Sequence, residues 1–92
     1  MFRLWGKIWK SNHLVTDTVA CDDDPSASRT RKVLQGLETI CHELDLPVPI
    51  WLDQNIAEFQ RGSKTRFRQD SFIEEVPFDY LEIQVIEEDL QV

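Results

Sequence analysis

RLWGKIWK, residues 3–10, reads as a strand with two unlike faces. With the two-residue period of a strand, Phe2, Leu4 and Ile8 fall on one side, and Arg3, Trp5, Lys7 and Trp9 on the other. The first side is an ordinary core face. The second, which should meet water, carries two tryptophans interleaved with cations. A strand apolar on one face and aromatic on the other suits the middle of a sheet. Its second face is then a binding surface, a dimer seam or a surface covered by the chain itself.

The segments around this strand complete the sheet. Residues 14–21, LVTDTVAC, are rich in β-branched side chains, and Ser11, Asn12 and His13 between the two runs are turn-prone, so the two strands form a hairpin. The inward face of the second strand stays open between Leu14, Thr16, Thr18, Ala20 and the alternative Val15, Val19, Cys21. Asp17 favours the first set, and a bulge would reconcile the two. Late in the chain DYLEIQVIEED alternates Leu81, Ile83 and Val85 against Tyr80, Glu82 and Gln84, the clearest strand of all.

Between the strands lie two helices. Val33, Leu37, Ile40 and Leu44 recur at helical spacing, with Leu34 and Cys41 widening the stripe. Asp24 before Pro25, or Ser26 or Ser28, caps the start, and Pro47 and Pro49 end the helix. Asp53 is expected to cap a second, shorter helix with Ile56 and Phe59 inward and Ala57 beside them, Arg61 in its last turn and Gly62 as its stop. Residues 63–77 hold Phe67 and Phe72 among charges, with extended stretches expected at 65–69 or 71–75. The order β-β-α-α-(β)-β implies a single α+β domain over residues 1–92. It is a two-layer sandwich: a small, mainly antiparallel sheet of the N-terminal hairpin plus the C-terminal strand, with both helices on one face. The first strand should lie between the second and the last.

Composition bounds the function. A chain of 92 residues buries about 60–65% of its unfolded surface, enough for one core and little enclosed space. The net charge of −7 opposes polyanions at long range. No continuous apolar stretch resembles a secretory leader or a membrane span, and the spacing of Cys21 and Cys41 is not that of a close metal-ligand pair. The expectation is a cytoplasmic protein with reduced thiols, no membrane contact and no cofactor.

LWGKIWK, ICHELDL (40–46), PIWL (49–52), KTRF (64–67), DSFIE (70–74) and FDYLEIQVIEED (78–89) together resemble a group of small uncharacterised proteins of clostridial-type (Firmicutes) bacteria. The resemblance covers most of the chain. It implies a bacterial cytosolic stand-alone domain and carries no catalytic motif, cofactor or substrate.

Four places are candidates for function. Arg3, Trp5, Lys7 and Trp9, with Tyr80 alongside, form a partner-binding or homodimer face, or one over which residues 63–77 fold back. The block RGSKTRFRQ offers Arg61, Lys64, Arg66 and Arg68 as an alternative anion site; helix-end stabilisation and pairing with the acidic C-terminal run explain the same cations. Trp5, Trp9, Arg66 and Arg68 together make single-stranded nucleic-acid binding the runner-up, disfavoured by the net charge. Asp22–Asp24 offer hard oxygens to a divalent metal but lack a calcium-loop spacing, and a solvated turn explains them. Cys41 and His42, adjacent on a helix, point about 100° apart and form no dyad. An enzyme is therefore the least favoured class, and protein interaction or self-association through the Trp5/Trp9 face the most favoured.

Overall fold

The computed structural model describes residues 1–88, so Asp89, the last acid of the C-terminal run, lies outside the described residues. Four antiparallel strands form one open sheet: β1 (Phe2–Lys10), β2 (His13–Asp22), β3 (Lys64–Phe67) and β4 (Tyr80–Glu87), in the order β2-β1-β4-β3. Helices α1 (Arg29–Glu43) and α2 (Asp53–Gly62) make the second layer of an α+β sandwich. The first strand takes the expected place between the second and the last.

The hairpin closes through Ser11 and Asn12, both with positive φ, between paired Lys10 and His13. That is the two-residue turn whose twist matches the strands it joins. Asp79 braces it: its Oδ2 accepts from Ser11 N at 2.8 Å, while its own N–H donates to Trp9 O at 2.9 Å. The ambiguity in β2 is resolved by a bulge. Ile8 pairs with Thr16 but Trp9 pairs with Leu14, leaving Val15 extra. Thr16, Thr18 and Ala20 thus share the helix-side face of Ile8, Gly6 and Leu4, while Leu14 joins Asp17 and Val19 on the other face. A one-residue insertion flips everything beyond it, which is why neither alternating set fitted alone.

Helix α1 lies very close to the sheet. A Cβ on Gly6 would stand 2.4 Å from Ile40 Cγ2, and one on Gly36 3.0 Å from Leu4 Cδ2. The two glycines let strand and helix backbones approach: a side chain at position 6 would collide with Ile40, and one at position 36 would press on Leu4. Ser28, among the residues expected to cap this helix, is the N-cap and accepts from Arg31 N at 3.2 Å. Asp24 instead forms the preceding turn, its Oδ1 accepting from Ser26 N and Oγ. The helix ends before the prolines, at Glu43 with Leu44 as its C-cap; Asp45 follows with φ 58°, and there Leu46 N donates to Cys41 O and Asp45 N to His42 O. These bonds satisfy carbonyls that would otherwise be left unpaired at the helix end.

Asp53 does not cap α2. Leu52 is the N-cap and Asp53 the first helical residue. The capping is done from inside: Asn55 Oδ1 accepts from Leu52 N at 3.0 Å. Fully buried, Asn55 also donates from Nδ2 to Thr65 Oγ1 at 3.0 Å and to Arg66 O at 2.9 Å. One amide therefore ties the start of α2 to β3. Ala57 is exposed, and Ile56 is largely so, leaving Phe59 as the buried aromatic of this helix. The core joins Leu4, Leu37, Ile40, Phe59, Phe67, Leu81 and Ile83, with Trp51 edge-on to both Phe59 and Phe67. Phe72 and Phe78 meet edge to face at the end of the same cluster.

Candidate functional site

Alternation in β1, with the antiparallel register on both sides, lays out the face of the sheet turned away from the helices. Opposite Trp5 stand Val19 and Gln84, opposite Lys7 Asp17 and Glu82, and opposite Trp9 Leu14 and Tyr80. In β3, Lys64 pairs with Gln84 and Arg66 with Glu82. Arg3, Trp5, Lys7, Trp9 and Tyr80 therefore share one face of the sheet, and Lys64 and Arg66 lie on it with them. Arg68, just past β3, also reaches Tyr80. Arg61 does not join them: it stands in the last turn of α2, in the helical layer.

The aromatic side chains of residues 63–77 do not fold over the tryptophans. Phe67 pairs with Leu81 on the core side, and Phe72 packs on Phe78 within the core cluster. The short strand β3 extends the sheet sideways instead, because its alternation buries Thr65 and Phe67 while turning Lys64 and Arg66 to the open face.

At the centre of this face sits a buried ion cluster. Glu82 is 4% exposed and Lys7 7%, with Lys7 Nζ 3.0 Å from Glu82 Oε1. Arg66 Nε donates to Glu82 Oε2 at 2.9 Å, and Lys7 Nζ to Gln84 Oε1 at 3.3 Å. Burial raises the Glu82 carboxyl pKa, but hydrogen bonds and positive charge from Arg66 and Lys7 outweigh it, and the net shift is downward. Arg66 is shifted upward, chiefly by its hydrogen bond to Glu82. Both groups are held in their charged forms.

The aromatics flank this cluster. Lys7 Nζ lies 3.9 Å from the Trp5 ring centroid, and Trp5 Nε1 donates to Asp17 Oδ2 at 2.8 Å. Arg66 and Arg68 stand 4.7 and 5.7 Å from the Tyr80 ring, with Trp9 tilted against Tyr80 at 6.4 Å. Such cation–ring contacts contribute about 0.5–2 kcal/mol, more as water is excluded. Arg3 closes one end on Glu87 at 3.2 Å. The face holds five cations, Arg3, Lys7, Lys64, Arg66 and Arg68, against the carboxylates of Asp17, Glu82 and Glu87. On a chain of net charge −7, this is a locally basic surface.

The other candidates are placed elsewhere. Asp22 Oδ1 accepts from Asp24 N, and Asp24 is committed to Ser26, which with nearby cations lowers its pKa. Among the described residues no three His, Cys, Asp or Glu side chains converge in a metal-binding group. Cys41 is fully buried, and desolvation pushes its thiol up to about 11. Cys21 is exposed on the open face beside Arg3. His13 lies in the hairpin opposite Lys10, and His42 is exposed on α1.

Sequence reasoning did not single out Glu82, Asp17, Leu14 or Val19 as parts of this surface. Glu82 was legible as an outward residue of its strand; its pairing with both Lys7 and Arg66 needed the strand order and two registers.

The fold and the face define an open-faced α+β two-layer sandwich with a basic, aromatic outer sheet surface. No family model matches this chain, and no curated protein and no solved structure matches it. No helix among the described residues is long and apolar enough to cross a membrane.

Proposed function

We propose that this protein is a small binding module whose open sheet face takes an acidic segment of another protein. One observation carries the reading: Trp5, Trp9 and Tyr80 share a face with Arg3, Lys7, Lys64, Arg66 and Arg68 on an otherwise acidic chain. Aromatic and arginine side chains concentrate binding energy at protein interfaces. Leu14 and Val19, both exposed beside the tryptophans, extend the apolar part of the patch. A homodimer seam on this face is the less favourable version, since it sets one basic surface against another, whereas an acidic partner gains from the same charges.

Single-stranded nucleic acid through Trp5, Trp9, Arg66 and Arg68 is the second reading, favoured by rings and cations on one open sheet. Against it, cations already occupy places over the Trp5 and Tyr80 rings, so a stacking base has to displace them. The test is a fluorescence titration with Glu/Leu-rich and Lys/Leu-rich peptides and with an oligothymidine, at low and moderate salt. The acidic peptide should bind, with affinity falling about tenfold or more in an Arg66→Glu, Arg68→Glu variant. Preference for the oligonucleotide, or no response to the acidic peptide at low salt, overturns the protein-partner reading. Sedimentation of a Trp5→Ala, Trp9→Ala variant tests the dimer version: a mass unchanged from the parent's excludes it.

A further inference from the structure

On the opposite side of the molecule, an open groove of about 350 Å³ runs between α1 and α2. Among the described residues its walls are Val33, Leu34, Trp51, Ile56 and Phe59, with Arg29 as the one charged residue lining it; Thr30 and Gln60 are the others, both neutral. The volume lies within the range of small-molecule sites, and apolar walls with one well-placed polar group are their usual composition. Leu34 and Ile56, on facing helices, are 46% and 43% exposed, so apolar surface is left uncovered there by the described residues.

Arg29 is held rather than dangling. Its guanidinium stands 5.5 Å from the Phe59 ring, its Nε donates to Glu88 Oε1 at 2.6 Å, and one terminal nitrogen donates to Ser63 Oγ at 2.8 Å. A guanidinium has five N–H donors in a planar fork, so these two bonds leave donors for a further acceptor. The pair with Glu88 is a little under half exposed on both sides, a surface pair of the kind that contributes little.

We infer that this groove is a binding site for a small apolar carboxylate, its hydrocarbon body between α1 and α2 and its carboxylate on Arg29. Charge complementarity selects the ligand class: among the described residues the single charged side chain lining the groove is Arg29, whose fork takes a ligand carboxylate in place of Glu88, and the rest of the lining is apolar or neutral. The site shares no residue with the open sheet face, so it stands or fails independently of that surface.

Phenylacetate and hexanoate, with the uncharged phenylethanol and hexanol as controls, test it by NMR titration of the full chain, read at the Trp51 indole N–H. The carboxylates should bind about tenfold more tightly than the matched alcohols. Arg29→Met should erase that difference while leaving the alcohols bound. Glu88→Gln, which removes the competing carboxylate, should tighten the acids. Leu34→Trp, which fills the groove from an exposed position, should abolish binding of both. Equal affinity for acids and alcohols, no saturation up to about ten millimolar, or shifts confined to the sheet face overturns the proposal. So does a dimer that Leu34→Lys dissociates, which assigns the groove to a second copy.

Discussion

Replacing Glu82 by glutamine tests the architecture of the open face most directly. The change keeps shape and removes one charge. In the parent, Glu82 and Lys7 are almost fully buried at 3.0 Å, while Arg66, on the other carboxylate oxygen, is 44% exposed. At an effective dielectric of about 20, the Lys7–Glu82 attraction is roughly 5–6 kcal/mol before desolvation is counted. Breaking a buried pair by removing one partner costs about 3–5 kcal/mol. The exposed Arg66 arm adds only about 0–1 kcal/mol. An amide oxygen can still accept from Lys7, so Glu82→Gln should destabilise by about 2–4 kcal/mol. A domain of this size holds roughly 5–14 kcal/mol in total, so the variant should still fold and its urea midpoint should fall measurably.

The mechanism also predicts non-additivity. Lys7→Met with Glu82→Leu removes both buried charges, so the double variant should cost less than the sum of the single changes by at least about 1 kcal/mol. The pH dependence follows from the same cluster. The folded-state pKa of Glu82 lies below its unfolded value. Its contribution is therefore present above the ordinary carboxylate range near pH 4 and is lost as pH falls through the folded pKa. The parent should lose stability on acidification more steeply than Glu82→Gln does. A Glu82→Gln cost under about 1 kcal/mol, or additive single variants, would refute the account of a coupled buried cluster.

Three further expectations concern the scaffold. Gly6→Ala places a Cβ 2.4 Å from Ile40 Cγ2, so it should cost about 1–3 kcal/mol by denaturation, and less when Ile40 is also truncated to Ala. Asn55→Ala strands Leu52 N and Arg66 O and should cost about 2–4 kcal/mol, with amide exchange accelerating first at the start of α2 and in β3. In thiol titration of the native protein, Cys21 should react promptly and Cys41 only on unfolding, since Cys41 is buried and its thiolate is disfavoured.

The two strands flanking the chain's middle, and the stripe of Val33, Leu37 and Ile40, were legible because periodicity is a local property: each residue's neighbour on its own face is two or three to four positions away. The two faces of β1 followed from that alone, as did the N-terminal hairpin. The place of β1 between β2 and β4 was legible as well, since a strand apolar on one face and aromatic on the other suits the middle of a sheet. Caps were less legible. Ser28 was one of several candidates before α1, and Asn55, which caps α2 from its third position, looks in sequence like any polar helical residue; its partners in β3 are ten and eleven residues away.

What stayed closed was everything that depends on a register. Whether Leu14 points in or out turned on a bulge between Ile8 and Trp9, a mismatch between two strands and therefore invisible in either one. The fate of residues 63–77 was decided by the free edge of β4, which β3 takes, carrying Phe67 into the core and Arg66 onto Glu82. Local alternation could say that β1 has a wet side rich in indole. Only the assembled sheet could turn that side into a surface, because Lys64, Arg66, Arg68 and the central acid Glu82 come from segments more than fifty residues distant from β1, brought together by pairing rather than by proximity in the chain.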